Sequence, residues 1–277
     1  SGLRHGEGTF HWSNGDWYEG DWCNDLISGF GEYRFANGDY YSGKFLNGKH
    51  HGFGEYRFAN GSWYKGEWNN GEKQGVGAYH WSTGSDYVGN WLNNKKHGIG
   101  EYRLANGDCY SGDWRNGLQE GLGRYNWADG SWYKGGWRGG KQHGVGEYHL
   151  SNGDYYRGEW VDDKRHGYGT YVWKSGASYA GEWVDGKKHG QGTMNYSDGR
   201  QYSGMWSCGY WDGYGTLKFP DGRVCSGRFS RGEYCGEVRN DNLFSHSMWN
   251  ARLNAKTADF FEDASDTSSE YDSACLN

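Results

Sequence analysis

The sequence predicts an all-β repeat array, thin and extended, assembled from short antiparallel hairpins. The first observation is a strict period. Tyr64-Lys65-Gly66-Glu67-Trp68 is preceded by Tyr41-Ser42-Gly43-Lys44-Phe45 and followed by Tyr87-Val88-Gly89-Asn90-Trp91, each 23 residues away. The same pattern starts at Tyr18, Tyr110, Tyr133, Tyr156, Tyr179 and Tyr202, and the last copy, Cys225-Ser226-Gly227-Arg228-Phe229, is degenerate. A fixed period in this range marks a repeat architecture. The second observation is glycine placement. Four slots, running from Gly6 to Gly236, Gly8 to Gly215, Gly15 to Gly222 and Gly20 to Gly227, hold 41 of the 51 glycines. The third is composition: 19% aromatic residues, one Pro, and few Leu, Ile or Val among 277 residues. Such a chain lacks the aliphatics for a thick two-layer core, and it is too aromatic to be disordered.

Within one unit, Gly52-Phe53-Gly54-Glu55-Tyr56-Arg57-Phe58 reads as a strand, Ala59-Asn60-Gly61 as the turn and Tyr64–Trp68 as the returning strand. The stretch Asn69–Gln74 reads as a loop to the next hairpin. Both strands alternate with period two, as a sheet with two unlike faces requires. A two-residue loop at Asn60-Gly61 would split the fixed aromatics between faces. A three-residue loop with Gly61 left-handed pairs Tyr56 with Tyr64 and Gly54 with Gly66, and gathers the aromatics on one face. Pro220 in Phe219-Pro220-Asp221-Gly222 occupies the position where a type I turn favours proline. Burying one aromatic side chain contributes roughly 1.5–3 kcal/mol, whereas ordering each residue's backbone costs about 1–2 kcal/mol. A single unit therefore does not hold itself, and neighbours must share burial.

These motifs, Tyr-x-Gly-x-Trp followed by Asn-Gly-Lys-x-His-Gly-x-Gly-x-Tyr and Asn-Gly-Asp, resemble the MORN repeat (membrane occupation and recognition nexus) over residues 1 to about 236. The resemblance implies an elongated, twisted, single-layer antiparallel sheet with two strands per repeat and a groove along one face. The pattern departs at Cys225, Cys235 and Val238, where the array is expected to stop. Domains are expected at 1–236 (the array), 237–261 (a capping segment) and 262–277 (an acidic disordered tail). Leu243, Phe244, Met248, Trp249, Leu253, Phe260 and Phe261 have spacings that suit one helical face, so a short helix is expected over about 245–261.

The net charge is −6, of which residues 242–277, with six acids and two bases, carry −4. The remaining −2 on the repeats is no footprint for nucleic acid, and it argues against single strands stacking on the aromatics. Six scattered cysteines without a Cys-x-x-Cys pair do not form a secreted disulfide framework. Together with no apparent signal peptide or transmembrane run, they lead us to expect a reduced, cytoplasmic setting. The chain opens mid-repeat and without Met, which points to sequence upstream of Ser1.

Three constellations invite function. His51, His97, His143, His166 and His189 share one slot. Successive copies two strands apart lie roughly 9–10 Å from one another, too far to share an ion, so no metal is expected. Lys49, Lys73, Lys95, Lys96, Lys141, Lys164, Arg165, Lys187 and Lys188 form a basic stripe suited to anionic lipid heads, interrupted by Glu72, Glu120, Asp162, Asp163 and Asp185. The aromatic face of a single-layer sheet has nothing to cover it, and an exposed apolar strip marks a protein partner. The candidate groove residues are Tyr64, Trp68, Tyr79, Trp81, Tyr87, Trp91, Tyr102, Tyr110, Trp114, Tyr125, Trp127, Tyr133 and Trp137. We find no nucleophile elbow, phosphate-binding loop or His-Glu-x-x-His, so no catalytic residue and no cofactor is expected. The leading expectation is a non-enzymatic scaffold whose groove binds a helical or extended protein segment or a second copy of itself. The family resemblance implies a cytoskeletal or ciliary setting. The alternative is a peripheral membrane tether acting through the basic stripe.

Overall fold

A computed structural model describes residues 2–236. The expected helix over about 245–261 and the acidic tail from Glu262 lie outside the described residues. The described chain is all β, with no helix, and it divides into two compact units at Ser151/Asn152, inside the repeat array. The first unit carries thirteen strands, from Gly6–His11 to Lys141–His149, and the second carries eight, from Tyr155–Val161 to Glu233–Tyr234. Within each unit every strand pairs antiparallel with the next in sequence, in a single sheet layer.

Two kinds of turn alternate. The broad turn follows the expected register. Tyr56 pairs with Tyr64 and Gly54 with Gly66, the Gly61 amide donates to the Phe58 carbonyl at 3.0 Å, and the Phe58 amide donates to the Ser62 carbonyl at 2.8 Å. Gly61 has φ +90°, the left-handed position that closes a three-residue loop. The connection read as a loop over Asn69–Gln74 is instead a second hairpin. Asn69 pairs with Glu72 across a two-residue turn in which Asn70 and Gly71 both have positive φ, 50° and 88°. Asn-Gly is the pair such a turn demands, because both central residues must be left-handed. The next strand therefore begins at Glu72 and runs to His80. It contains a bulge between the pairs Gly66↔Gly77 and Trp68↔Lys73. At the bulge Gly75 has φ +66°, and the Val76 amide donates to Glu67 Oε1 at 3.2 Å. Asp21, Asp113, Glu159 and Glu182 serve the corresponding amides of Phe30, Leu122, Tyr168 and Gln191.

The core is one layer of rings on one face. Tyr64 is fully buried, its ring lying on the pair Gly66–Gly77, and its hydroxyl donates to the Glu67 carbonyl at 2.9 Å. Trp68 meets it edge-to-face at 4.9 Å within the repeat, and Trp91 of the next repeat does so at 5.4 Å. The Trp68 indole donates to the Gly54 carbonyl at 3.2 Å. The motif repeats from Tyr18 to Trp137 in the first unit and from Tyr156 to Phe229 in the second. Each edge-to-face pair contributes about 0.5–1.5 kcal/mol beyond burial. A second tie joins successive broad turns. Asp39 accepts the Ala59 amide at 2.8 Å and the Tyr56 hydroxyl at 2.7 Å, and in other copies Ser62 Oγ accepts the Ser82 amide at 2.9 Å.

Two predictions follow from this packing. A Cβ at Gly66 would fall 2.5 Å from Gly77 Cα and 2.6 Å from Tyr64 Oη, whereas one at Gly71 meets nothing within 4 Å. Gly66→Val is expected to cost at least ~3 kcal/mol by overpacking. Gly71→Ala should cost about 1–2 kcal/mol from its left-handed backbone alone. Urea midpoints of the two variants provide the comparison, and equal losses would refute the packing role.

The second prediction concerns acid. Asp16 and Asp108 are held below the ordinary carboxylate range chiefly by the amides of Ala36 and Ala128. At Asp39 burial acts upward but is outweighed by bonds from Tyr56, the Ala59 amide and Asn37, so it too is lowered. The stability these carboxylates contribute is present above the ordinary value of 3.8 and is lost as pH falls through their lower native values. Asp39→Asn with Asp108→Asn should flatten the loss of stability below about pH 4, measured as urea midpoints between about pH 2.5 and 5.

Candidate protein-binding face

The structure divides the expected groove residues into two groups. Tyr64, Tyr87, Tyr110 and Tyr133 are fully buried, and Trp68, Trp91, Trp114 and Trp137 are 3–7% exposed. These eight are the fold's interior. Tyr79, Trp81, Tyr102, Tyr125 and Trp127 are half-buried and present their outer edges to solvent. They form an outer row, with Tyr79 4.4 Å from Trp81 and Trp81 5.4 Å from Tyr102, and no other layer of described residues lies over it.

The basic stripe is also divided. Lys49, Lys95, Lys141, Lys164 and Lys187 open their strands beside the tight turns, and the first four are exposed. Lys164 Nζ lies 3.6 Å from Asp185. Lys73, Lys96, Arg165 and Lys188 instead turn onto the aromatic face. Lys73 Nζ sits 4.4 Å from the centre of the Tyr79 ring and 5.1 Å from Trp91, and Lys96 Nζ sits 3.9 Å from Tyr102 and 4.0 Å from Trp114. Arg165 lies 4.5 Å over Trp183 and Lys188 5.1 Å over Trp206.

These four share a slot that sequence reasoning missed. It is the residue two places after each tight turn, paired across the ladder with the Trp of the preceding strand. In the first unit it holds Ile27, His50, Lys73, Lys96, Gln119 and Gln142, and in the second Arg165, Lys188 and Trp211. His50 stacks on Tyr41 at 3.8 Å, and Trp211 stacks on Tyr202 at 4.5 Å. Burial pushes the Lys73 and Lys96 ammoniums down to about 8 and the His50 imidazole down to about 4. The ring faces around the two lysines act in the opposite direction, favouring the charged form. The signal available in the sequence was variability itself: this position changes chemistry from copy to copy while the residue five places before it stays Trp or Phe.

The opposite face carries a second missed feature. The residue between the first two glycines of each repeat points there, and Phe30, Phe53, Val76, Ile99, Leu122 and Val145 are 55–71% exposed. The histidine slot holds His51 and His97, whose Nδ1 atoms are buried without a hydrogen-bond partner. Among the described residues no group of three His, Cys, Asp or Glu side chains is placed to hold a metal ion.

His50 makes stability depend on pH. The unfolded chain takes up its proton near 6.5, and the folded chain does so only near 4. Stability is therefore full above pH 6.5 and declines as pH falls toward 4. His50→Phe should remove this part of the decline, seen as a smaller drop in melting temperature between pH 7 and 4.5.

The model of the MORN repeat matches ten successive segments across residues 1–222. No curated protein matches the chain. Among solved structures, the TCP10 domain of CPAP from Danio rerio is similar at 12% identity, covering 80% of this chain and 100% of that one, with a TM-score of 0.39. The SAS-4 TCP domain of Drosophila melanogaster, solved with a proline-rich motif of Ana2, is similar at 14% identity, covering 56% and 85%, with a TM-score of 0.36. Virginiamycin B lyase from Staphylococcus aureus is similar at 8% identity, covering 80% and 84%, with a TM-score of 0.17. The ten repeat matches, together with the glycine-seated Tyr–Trp ladder, make this chain a member of the MORN-repeat family.

Proposed function

We propose that the protein is a non-enzymatic scaffold that binds a segment of a protein partner along the aromatic face of its repeat array. One observation carries this reading: the half-buried outer row of Tyr79, Trp81, Tyr102, Tyr125 and Trp127 lies uncovered over a sheet of one layer. Large aromatics whose inner edges are fixed and whose outer edges remain wet lose little conformational entropy on binding, and they are the residues that dominate protein interfaces. A segment laid on this row meets ring edges and the variable slot, while the eight interior rings fix the row from beneath. The cytoskeletal or ciliary setting implied by the family resemblance belongs to the same reading.

The exposed stripe at Phe53, Val76, Ile99 and Leu122 favours a second reading, in which the partner docks on the opposite face. The two are separated by capture from a cell extract, identification of the bound protein, and titration of the purified pair. Trp81→Ala with Trp127→Ala is expected to weaken the pair at least about tenfold, or ~1.4 kcal/mol. Ile99→Ser with Leu122→Ser should leave it unchanged. The reverse pattern would move the site to the opposite face. Trp91→Ala is the stability control: removing a buried ring should lower melting temperature more than either double variant.

A further inference from the structure

Lys73 and Lys96 leave a positive stretch on the ring face of the first unit. Each side chain is half-buried, with its ammonium 4.4 Å from the centre of the Tyr79 ring and 3.9 Å from that of Tyr102, respectively. Neither ammonium has a carboxylate within ion-pair distance or a hydrogen-bond acceptor among the described residues. An ammonium carries three donors, and ring faces attract its charge without accepting all three. The ties between broad turns depart in the same place. Asp39 accepts the Tyr56 hydroxyl at 2.7 Å, and Asp108 accepts the Tyr125 hydroxyl at 2.8 Å. The two copies between them hold Ser62 and Ser85 in that slot, which serve the Ser82 and Ala105 amides without a charge. The stretch thus holds two cations in the repeats whose ties lack a carboxylate.

Whatever covers this stretch must bring acceptors to both ammoniums, because a covered, unpaired charge is costly. Carboxylates meet that need best, since charge-assisted hydrogen bonds are the strong ones. Spacing narrows the occupant further. The two lysines are one repeat apart, hence two strands or about 9.4–9.8 Å. A polyproline-type chain returns to the same face every three residues, over about 9.3 Å. An α-helix returns only after seven residues, over about 10.5 Å, and so drifts by about 1 Å per repeat. A flat strand sets residues three apart on opposite sides. The neighbouring slots end the charged stretch: His50, whose imidazole burial holds down to about 4, on one side and Gln119 on the other.

We propose that the occupant of this stretch is an acidic segment of a partner protein, extended in the polyproline manner across the strands, with carboxylates three residues apart paired to Lys73 and Lys96. This rests on the reading that the aromatic face binds a protein segment, and it adds the partner's chemistry and register. The outer edges of Tyr79, Trp81 and Tyr102, beside the two ammoniums, meet the residues between the acids. Burial holds both ammoniums down to about 8, and a carboxylate brought to each offsets that desolvation.

The test selects binders of the full chain from a phage-displayed library of random dodecapeptides. Peptides are kept when Trp81→Ala abolishes their binding, which ties them to the aromatic face. The kept set is expected to be enriched several-fold in pairs of acids three residues apart. Lys73→Met and Lys96→Met retain an apolar stem, so each should leave the melting temperature unchanged while weakening a synthetic member of the set at least about tenfold. Changing Lys73→Glu together with the facing peptide acid to lysine should restore binding. Kept peptides that lack spaced acids, or that are indifferent to both methionine variants, would overturn the proposal and leave the scaffold reading standing. No kept peptide at all would overturn both. Vesicles of phosphatidylcholine and phosphatidylserine that bind through the same two lysines would also overturn it, by assigning the ammoniums to a lipid surface.

Discussion

The structure depends on one contact: a tyrosine ring lying flat on two glycines. In the nine repeats that open on Tyr18 through Tyr202, the ring of that Tyr covers a glycine pair such as Gly66–Gly77, where any Cβ would strike the ring or the facing backbone. This contact brings the ring down to the sheet, so its hydroxyl reaches a carbonyl three residues on. It also leaves the ring's edges free for the tryptophans of two successive repeats. A sheet of one layer thus obtains an interior without a second layer. The cost is conformational: each glycine loses more freedom on folding than any other residue. That cost is offset only because every ring is shared between neighbours, which explains why the units work as an array.

The alternation of turns follows from the same contact. The broad turn keeps both Tyr of a hairpin on the ring face, whereas the tight turn and its bulge let the following strand restore that phase. Two positive-φ residues at each tight turn, such as Asn47-Gly48 and Asn93-Asn94, and a carboxylate or amide two or more residues before it accomplish this. Lys44, Gly136 or Met205 stands at that position in three other copies, and there the sequence offers no carboxylate or amide for the bulge.

Much of the fold was legible because the period made every slot visible ten times over. The pairing of Tyr56 with Tyr64 and of Gly54 with Gly66 followed from requiring the aromatics to share a face. The tight turn at Asn70-Gly71 was missed because Asn60-Gly61 carries the same two residues in a different geometry. Local identity does not distinguish a two-residue loop from a three-residue loop; the pairing beyond it does. The candidate site was less legible. Periodicity assigns a residue to a face but not to a depth, so Tyr87 and Tyr79 read alike although one is fully buried and the other half-exposed. Lys73 and Lys95 likewise read as one basic stripe although their side chains lie in unlike environments.

Depth also limits where recognition can reside. The Tyr and Trp that define the repeat are consumed by the ladder, and a substitution there alters the fold before it alters a partner. Sequence-specific recognition must therefore come from positions that vary without breaking the ladder. The slot running from Ile27 to Trp211 meets this requirement on the ring face. It holds an aliphatic, an imidazole, an ammonium, an amide, a guanidinium and an indole, and His50, Lys96, Arg165 and Trp211 each lie on ring surface there. Long side chains with apolar stems and polar ends suit such a position, since the stem packs while the end stays available. A regular array of near-identical units thereby carries a non-repeating series of charges and shapes on its surface. Under the proposed function, a partner segment would read its place on a unit from that series, in steps of two strands.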